Sequence, residues 1–203
     1  MIDTPSPVKP ATTSAAATDP IQSLRAATHA LHQQLDHNLP LARPDAGLPD
    51  YTSHLCILRD WQVALAPWLA RTNASDPSVA LITADLVDCA AAGIAVPKPQ
   101  DINLAGVTAV DDGSDAFGWG IAYVLEGSRL GGQVLFRRLQ QQLAPHPLRY
   151  LGERGADGMP WPQFLAGLRQ KLGEPAALDA GCKGAVAAFE SLLTHFRRQG
   201  ALA

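Results

Sequence analysis

Residues 118–135 read as helix at every position except their glycines, and that conflict constrains the chain more than any other feature. The run is Gly-Trp-Gly-Ile-Ala-Tyr-Val-Leu-Glu-Gly-Ser-Arg-Leu-Gly-Gly-Gln-Val-Leu. Each glycine inside a helix costs roughly 1 kcal/mol relative to alanine. At 3.6 residues per turn Gly120, Gly127 and Gly131 lie near one face, with Ser128 and Gly132 beside them. Three arrangements justify that cost: a second backbone packed close, a flat ligand lying on the helix, or a bend. The Gly127 to Gly131 spacing suits close helix packing, and the adjacent pair Gly131-Gly132 favours a bend.

The rest of the chain supports an all-α reading. Aromatic residues are 6% of 203, and few segments are rich in Val, Ile or Thr. Residues 1–18 hold Pro, Thr, Ser and Ala with almost no bulky apolar side chain, too little to offset ordering entropy, so a disordered tail is expected there. Asp19-Pro20 reads as an N-cap followed by proline at the first helical position. Helices are then expected over residues 21–36, 50–71, 77–92 and 114–143, from near 161, and over 176–199. Pro67 should kink or shorten the second of them. A connection rich in Pro, Gly and Asp separates the third from the fourth. The expected architecture is one helical domain over residues 19–200.

Charge and cysteine usage narrow the function. The net charge of −3 gives no global basic field for nucleic acid. Cys56, Cys89 and Cys182 are scattered, with neither disulfide nor metal-ligand spacing, which suits a reducing compartment. The first nine residues lack a charged and then apolar leader, and no apolar run approaches bilayer length, so a cytoplasmic protein is expected.

The first helix carries the candidate ligands. Leu24, Thr28, Leu31 and Leu35 form its core stripe, and Arg25, His29, His32 and Asp36 share one flank beside it. His32 is the most inward of the four. Asp36 sits one turn later, where a carboxylate can orient a metal-ligating imidazole, and Arg25 is placed to pair with a ligand carboxylate. A solvated histidine or a zinc pair formed by His29 and His32 fits the same spacing.

Together the two helices are more specific. Leu24-Arg-Ala-Ala-Thr-His-Ala-Leu-His32 and Gly127-Ser-Arg-Leu-Gly-Gly-Gln133 resemble the proximal and distal segments of heme oxygenases. The wording Tyr123-Val-Leu-Glu-Gly-Ser-Arg-Leu-Gly-Gly-Gln133 is similar to the bacterial, biliverdin-producing branch found beside bacteriophytochromes. That resemblance implies an all-α bundle with a heme pocket between the first helix and a kinked, glycine-rich helix. It implies His32 as proximal iron ligand, Asp36 as its acidic partner, and Arg25 and Tyr123 as further heme contacts. Gly127, Ser128, Gly131 and Gly132 match the distal, catalytic stretch.

The implied reaction cleaves heme b, substrate and cofactor at once, to biliverdin with release of iron and carbon monoxide. It uses O2 and electrons from an external ferredoxin or flavoprotein reductase, and a bacteriophytochrome could accept the product. A heme-binding protein of the same fold without turnover is the alternative. The sequence also departs from well-known animal members: Ser128 stands where they have a distal Asp, and Val124 where they have a distal Arg. No paired basic residues for the propionates stand out near residues 161–172. Arg137, Arg138, Arg169 and Lys171 are the available cations, and Arg137 and Arg138 could also meet an acidic electron donor.

Overall fold

The computed structural model describes residues 19–72, 78–152 and 159–202; the tail expected over residues 1–18 lies outside the described residues. Eight α-helices and no strand occur among them. They are α1 (Pro20–Asn38), α2 (Leu48–Leu69), α3 (Ser78–Ala91), α4 (Ala105–Val110), α5 (Asp115–Gln142), α6 (Arg149–Gly152), α7 (Trp161–Lys171) and α8 (Pro175–Arg198). Short 3-10 turns follow α1 and α2 at Pro40–Ala42 and Ala70–Thr72.

Local chemistry sets the ends of the two critical helices. Asp19 caps α1 by accepting from the Ile21 amide at 3.3 Å, with Pro20 in the first turn. Ser114 caps α5 by accepting from the Phe117 amide at 3.2 Å. Helix α2 runs through Pro67 and ends two residues past it, at Leu69. Helix α5 runs unbroken through Gly120, Gly127, Gly131 and Gly132. The short α4 and α6 lie in stretches read as connections, because one or two turns carry too few residues for a visible apolar period.

Helix α8 organises the bundle: α1 and α5 each pack along it rather than along each other. The contact with α5 is backbone on backbone. A Cβ added at Gly120 would stand 1.9 Å from the Gly181 carbonyl oxygen, and one at Gly184 would stand 2.2 Å from that of Phe117. No side chain fits between two backbones at that separation. A buried core of Leu24, Tyr51, Trp61, Phe117, Phe164 and Phe196 fills the space around this crossing. Asp111 fastens the approach to α5, accepting from Arg71 at 2.8 and 2.9 Å and from Trp68 Nε1 at 2.9 Å. The Arg71 guanidinium holds its carboxyl down at about 2. The three cysteines are free, and no helix among the described residues is long and apolar enough to cross a membrane.

Glycines on α5 therefore differ in what a methyl group would meet. Gly120→Ala should lower unfolding stability by about 3 kcal/mol, because two backbones must separate. Gly131→Ala meets open space and should raise it by up to about 1 kcal/mol through helix propensity. Urea denaturation reads both; equal effects would overturn the backbone crossing of α5 and α8.

Candidate functional site

Helices α1 and α5 are clasped together at two levels. At the first, Arg25 of α1 approaches the hydroxyl of Tyr123 on α5, and Tyr123 lies against Trp161 with ring centroids 6.4 Å apart. Helix α7 spans that end: Arg169 pairs with Asp19 at 3.0 Å, while Trp119 stacks on Phe164 at 5.6 Å. At the second, Arg138 of α5 donates to the carbonyls of Leu41 and Ala42, just past the end of α1. Gln142 adds a bond to the Ala46 carbonyl at 2.7 Å.

Both helices run in the same direction from one clasp to the other. From Arg25, His32 is seven residues on, about 10 Å of helix; from Tyr123, Gly131 is eight residues on, about 12 Å. The histidine and the glycines therefore stand at similar heights between the clasps. Helix α7 begins at Trp161, level with Tyr123, so it does not reach between them. Helix α8 supplies the floor, where Phe189 sits 5.7 Å from the His32 ring. The result is an open trough, and it accounts for the 57% exposure of the His32 side chain.

The α1 wall is a histidine held ready. Asp36 is one turn on, and His32 Nδ1 donates to its Oδ2 at 2.9 Å. A carboxylate only accepts, so the proton sits on Nδ1 and the Nε2 lone pair is available to a metal. His29 is exposed on the same flank, without the carboxylate that orients His32.

The α5 wall is apolar and nearly free of side chains at its centre. Tyr123, Gly127, Leu130, Gly131 and Val134 share one face by helical spacing. A Cβ built at Gly127 or Gly131 meets nothing within 4 Å. Leu130 and Val134 are 39% and 66% exposed, an uncovered apolar pair flanking a bare backbone. Gly132 points elsewhere: its added Cβ would touch Leu151 of α6 at 3.4 Å, which makes it a packing glycine. Ser128 donates its hydroxyl to the Leu125 carbonyl at 2.7 Å. Val124 is buried in the core, so the chain has no polar side chain at that position.

The structure thus brings Arg25 to Tyr123 and His32 to Asp36, leaves the Gly127 and Gly131 faces uncovered, and sets Gly132 against α6. Sequence reasoning missed Phe189, Leu130 and Val134. The exposed pair was legible in principle, since Leu130 and Val134 continue the Gly127 face at helical spacing. Phe189 was not, because only the fold brings α8 beneath His32. Arg138 and Arg169, noted as cations for a ligand or donor, are engaged with the 41–42 carbonyls and with Asp19. Cavities of about 410, 730 and 420 Å3 lie elsewhere in the protein and are lined by other residues.

Over 78 residues the chain is 40% identical to a protein of Xanthomonas campestris pv. campestris (strain 8004) named heme oxygenase. The matched stretch is 37% of this chain and 47% of that relative, so the likeness spans about half of the relative's length. The match supports the heme oxygenase family. No family model matches the chain. The all-α architecture is consistent with a heme oxygenase-type fold.

The trough can be tested against a heme on its own features. A flat macrocycle needs one axial donor, an opposite wall without side chains, apolar cover, and cations at its carboxylate edge. His32 Nε2, the Gly127 and Gly131 backbone, and Leu130 with Val134 meet the first three needs, and Arg25 supplies one cation for the fourth. The residues fit.

Burial raises the Tyr123 phenol above its ordinary value, while the Arg25 guanidinium pulls it down. Removing the cation leaves burial unopposed. Arg25→Ala should therefore shift Tyr123 ionisation to higher pH in an ultraviolet difference titration, with Tyr123→Phe as the blank. An unmoved or lowered transition would break the first clasp.

Proposed function

We propose that the protein is a heme oxygenase that opens heme to biliverdin, with release of iron and carbon monoxide. The observation that carries this reading is the pairing, between two clasps, of a carboxylate-oriented imidazole with a bare, uncovered helix face. Bound heme would be both the substrate and the centre that takes up O2 and electrons.

The residues divide the work. His32 would ligate the iron through Nε2, and Asp36 would fix its ring and keep it a good donor. As a neutral ligand it pushes less electron density onto the iron than a thiolate does, which disfavours O–O cleavage. Gly127 and Gly131 would leave room along the porphyrin edge for bound oxygen to bend toward a bridging carbon. Their backbone, with the Ser128 hydroxyl close by, would hold the water that delivers a proton there. Arg25 and Tyr123 would meet a propionate at the first clasp, and Phe189 would support the proximal side.

Electrons would come from outside the chain, from a ferredoxin or a flavoprotein reductase, since no flavin, nicotinamide or iron–sulfur motif is present. Attack at the α bridging carbon, a cytoplasmic location and delivery of biliverdin to a bacteriophytochrome complete the proposal. The branch resemblance of residues 123–133 supports the first and the third, and the scattered cysteines support the second.

Anaerobic reconstitution with heme, followed by O2 and reductant, tests the reading by spectrum and by pigment isomer. The wild-type chain should yield biliverdin. A stable ferric complex that never yields it would make the protein a heme binder only. His32→Ala should lose the axial ligand and nearly all turnover while still admitting heme, and Asp36→Ala should cost roughly 10- to 100-fold. His29→Ala should be mild. Gly131→Leu should place a side chain in the oxygen space and stop turnover; full activity there would put the distal face elsewhere.

A further inference from the structure

Besides thiols, phenols and indoles are the side chains that give up single electrons most readily, and the rim of the trough joins one of each. Tyr123 lies against Trp161 with 6.4 Å between centroids and 33° between planes. Trp161 stacks in turn on Phe164 at 5.5 Å and 19°, and Phe164 on Trp119 at 5.6 Å and 28°. These separations are those of rings in direct contact, so no solvent gap interrupts the row. Access differs along it. Phe164 and Trp119 are buried, whereas Tyr123 and Trp161 are half-buried. The other candidates stand apart. Tyr51 and Tyr150 are buried, Trp61 is bonded to Ser191 and Trp68 to Asp111. Tyr123 with Trp161 is the one tyrosine–tryptophan ring contact among the described residues.

We propose that Tyr123 and Trp161 form a one-electron relay that carries oxidising equivalents from a ligand in the trough out to solvent. The relay rests on the heme reading and adds a protective function to it. A site that takes O2 and electrons one at a time meets peroxide whenever an electron or a proton is late. Peroxide is the oxidant: over a full cycle one molecule takes two electrons and two protons and ends as two waters. The electrons are first drawn from bound heme. Tyr123 returns one to it and releases its phenolic proton to water in the trough. Trp161 then gives an electron to Tyr123; a proton returns to the phenol oxygen and the indole N–H proton leaves to solvent. A soluble one-electron reductant such as ascorbate restores Trp161 with one electron and one proton. A second pass supplies the other electron.

Local chemistry favours these two rings. The Arg25 guanidinium beside the phenol opposes its proton, against the effect of burial, so proton loss on oxidation is eased. Phe164 is much harder to oxidise, and Trp119 behind it is 6% exposed. The outlet is therefore Trp161, at the start of α7.

The first test uses the full chain without heme. Azide radicals made by pulse radiolysis oxidise indoles, and the indolyl absorption should decay as a tyrosyl absorption grows, at a rate independent of protein concentration. Trp161→Phe keeps a ring in place and should slow that growth at least about tenfold; Tyr123→Phe should abolish it. The second test adds hydrogen peroxide to the ferric heme complex and follows electron paramagnetic resonance. A tyrosyl signal is expected in the wild type and not in Tyr123→Phe. Ascorbate should remove it at least about tenfold more slowly in Trp161→Phe, and Trp161→Tyr, a second oxidisable ring, should restore the faster decay. Trp161→Phe should leave the ferric heme spectrum unchanged. Heme-free transfer that is absent, or that Trp161→Phe leaves as fast, would overturn the pair. A heme complex that gives no Tyr123 radical, or one whose decay ignores position 161, would overturn the relay. A chain that takes up no heme would overturn the heme reading and the relay's purpose with it, while the heme-free arm still decides whether the two rings exchange an electron.

Discussion

The backbone contact between α5 and α8 is the constraint from which the rest follows. Glycines on both sides of the crossing let the two helices meet carbonyl to Cα, nearer than any pair of side chains allows. That fixes where α5 begins and which way it points. Because α1 lies along the same α8, its position relative to α5 follows from a shared support and not from direct contact. A gap between α1 and α5 is then a consequence of the packing. The clasps at Tyr123 and Arg138 set its length, and Phe189 sets its floor.

One residue type thus serves three physical ends on one helix. Gly120 admits a backbone, Gly132 admits Leu151 of α6, and Gly127 with Gly131 meet nothing among the described residues. The first two are explained by the fold alone. The last two carry the same helix-propensity cost without any internal contact in return. The difference between an uncovered face and a packing face is visible only once the neighbours are placed.

This limits what the sequence could reveal. The long helices were legible because caps such as Asp19 and Ser114 and a 3.6-residue apolar period are local features. The flank shared by Arg25, His32 and Asp36 was legible for the same reason, since helical spacing alone puts them in line. The division of labour among the glycines was not, because Gly131 and Gly132 differ only in which way they point. The fate of the cations was equally hidden. Arg138 answers carbonyls about a hundred positions away in the chain. Short helices such as α4 and α6 failed for want of length, not for want of order.

An open trough also implies an energetic relation between ligand and fold. Leu130 and Val134 remain in water in the free chain, and a ligand lying on that face would cover them. Burying apolar surface contributes about 25 cal/mol per Å2, and here part of that gain is deferred from folding to binding. Any ligand that fits only the folded trough stabilises the fold by mass action. The clasps matter more in that light. They fix the spacing of α1 and α5 within the fold itself. Arg138 serves that purpose by bonding backbone carbonyls beyond the end of α1, a contact that sets spacing without placing a charge inside the trough.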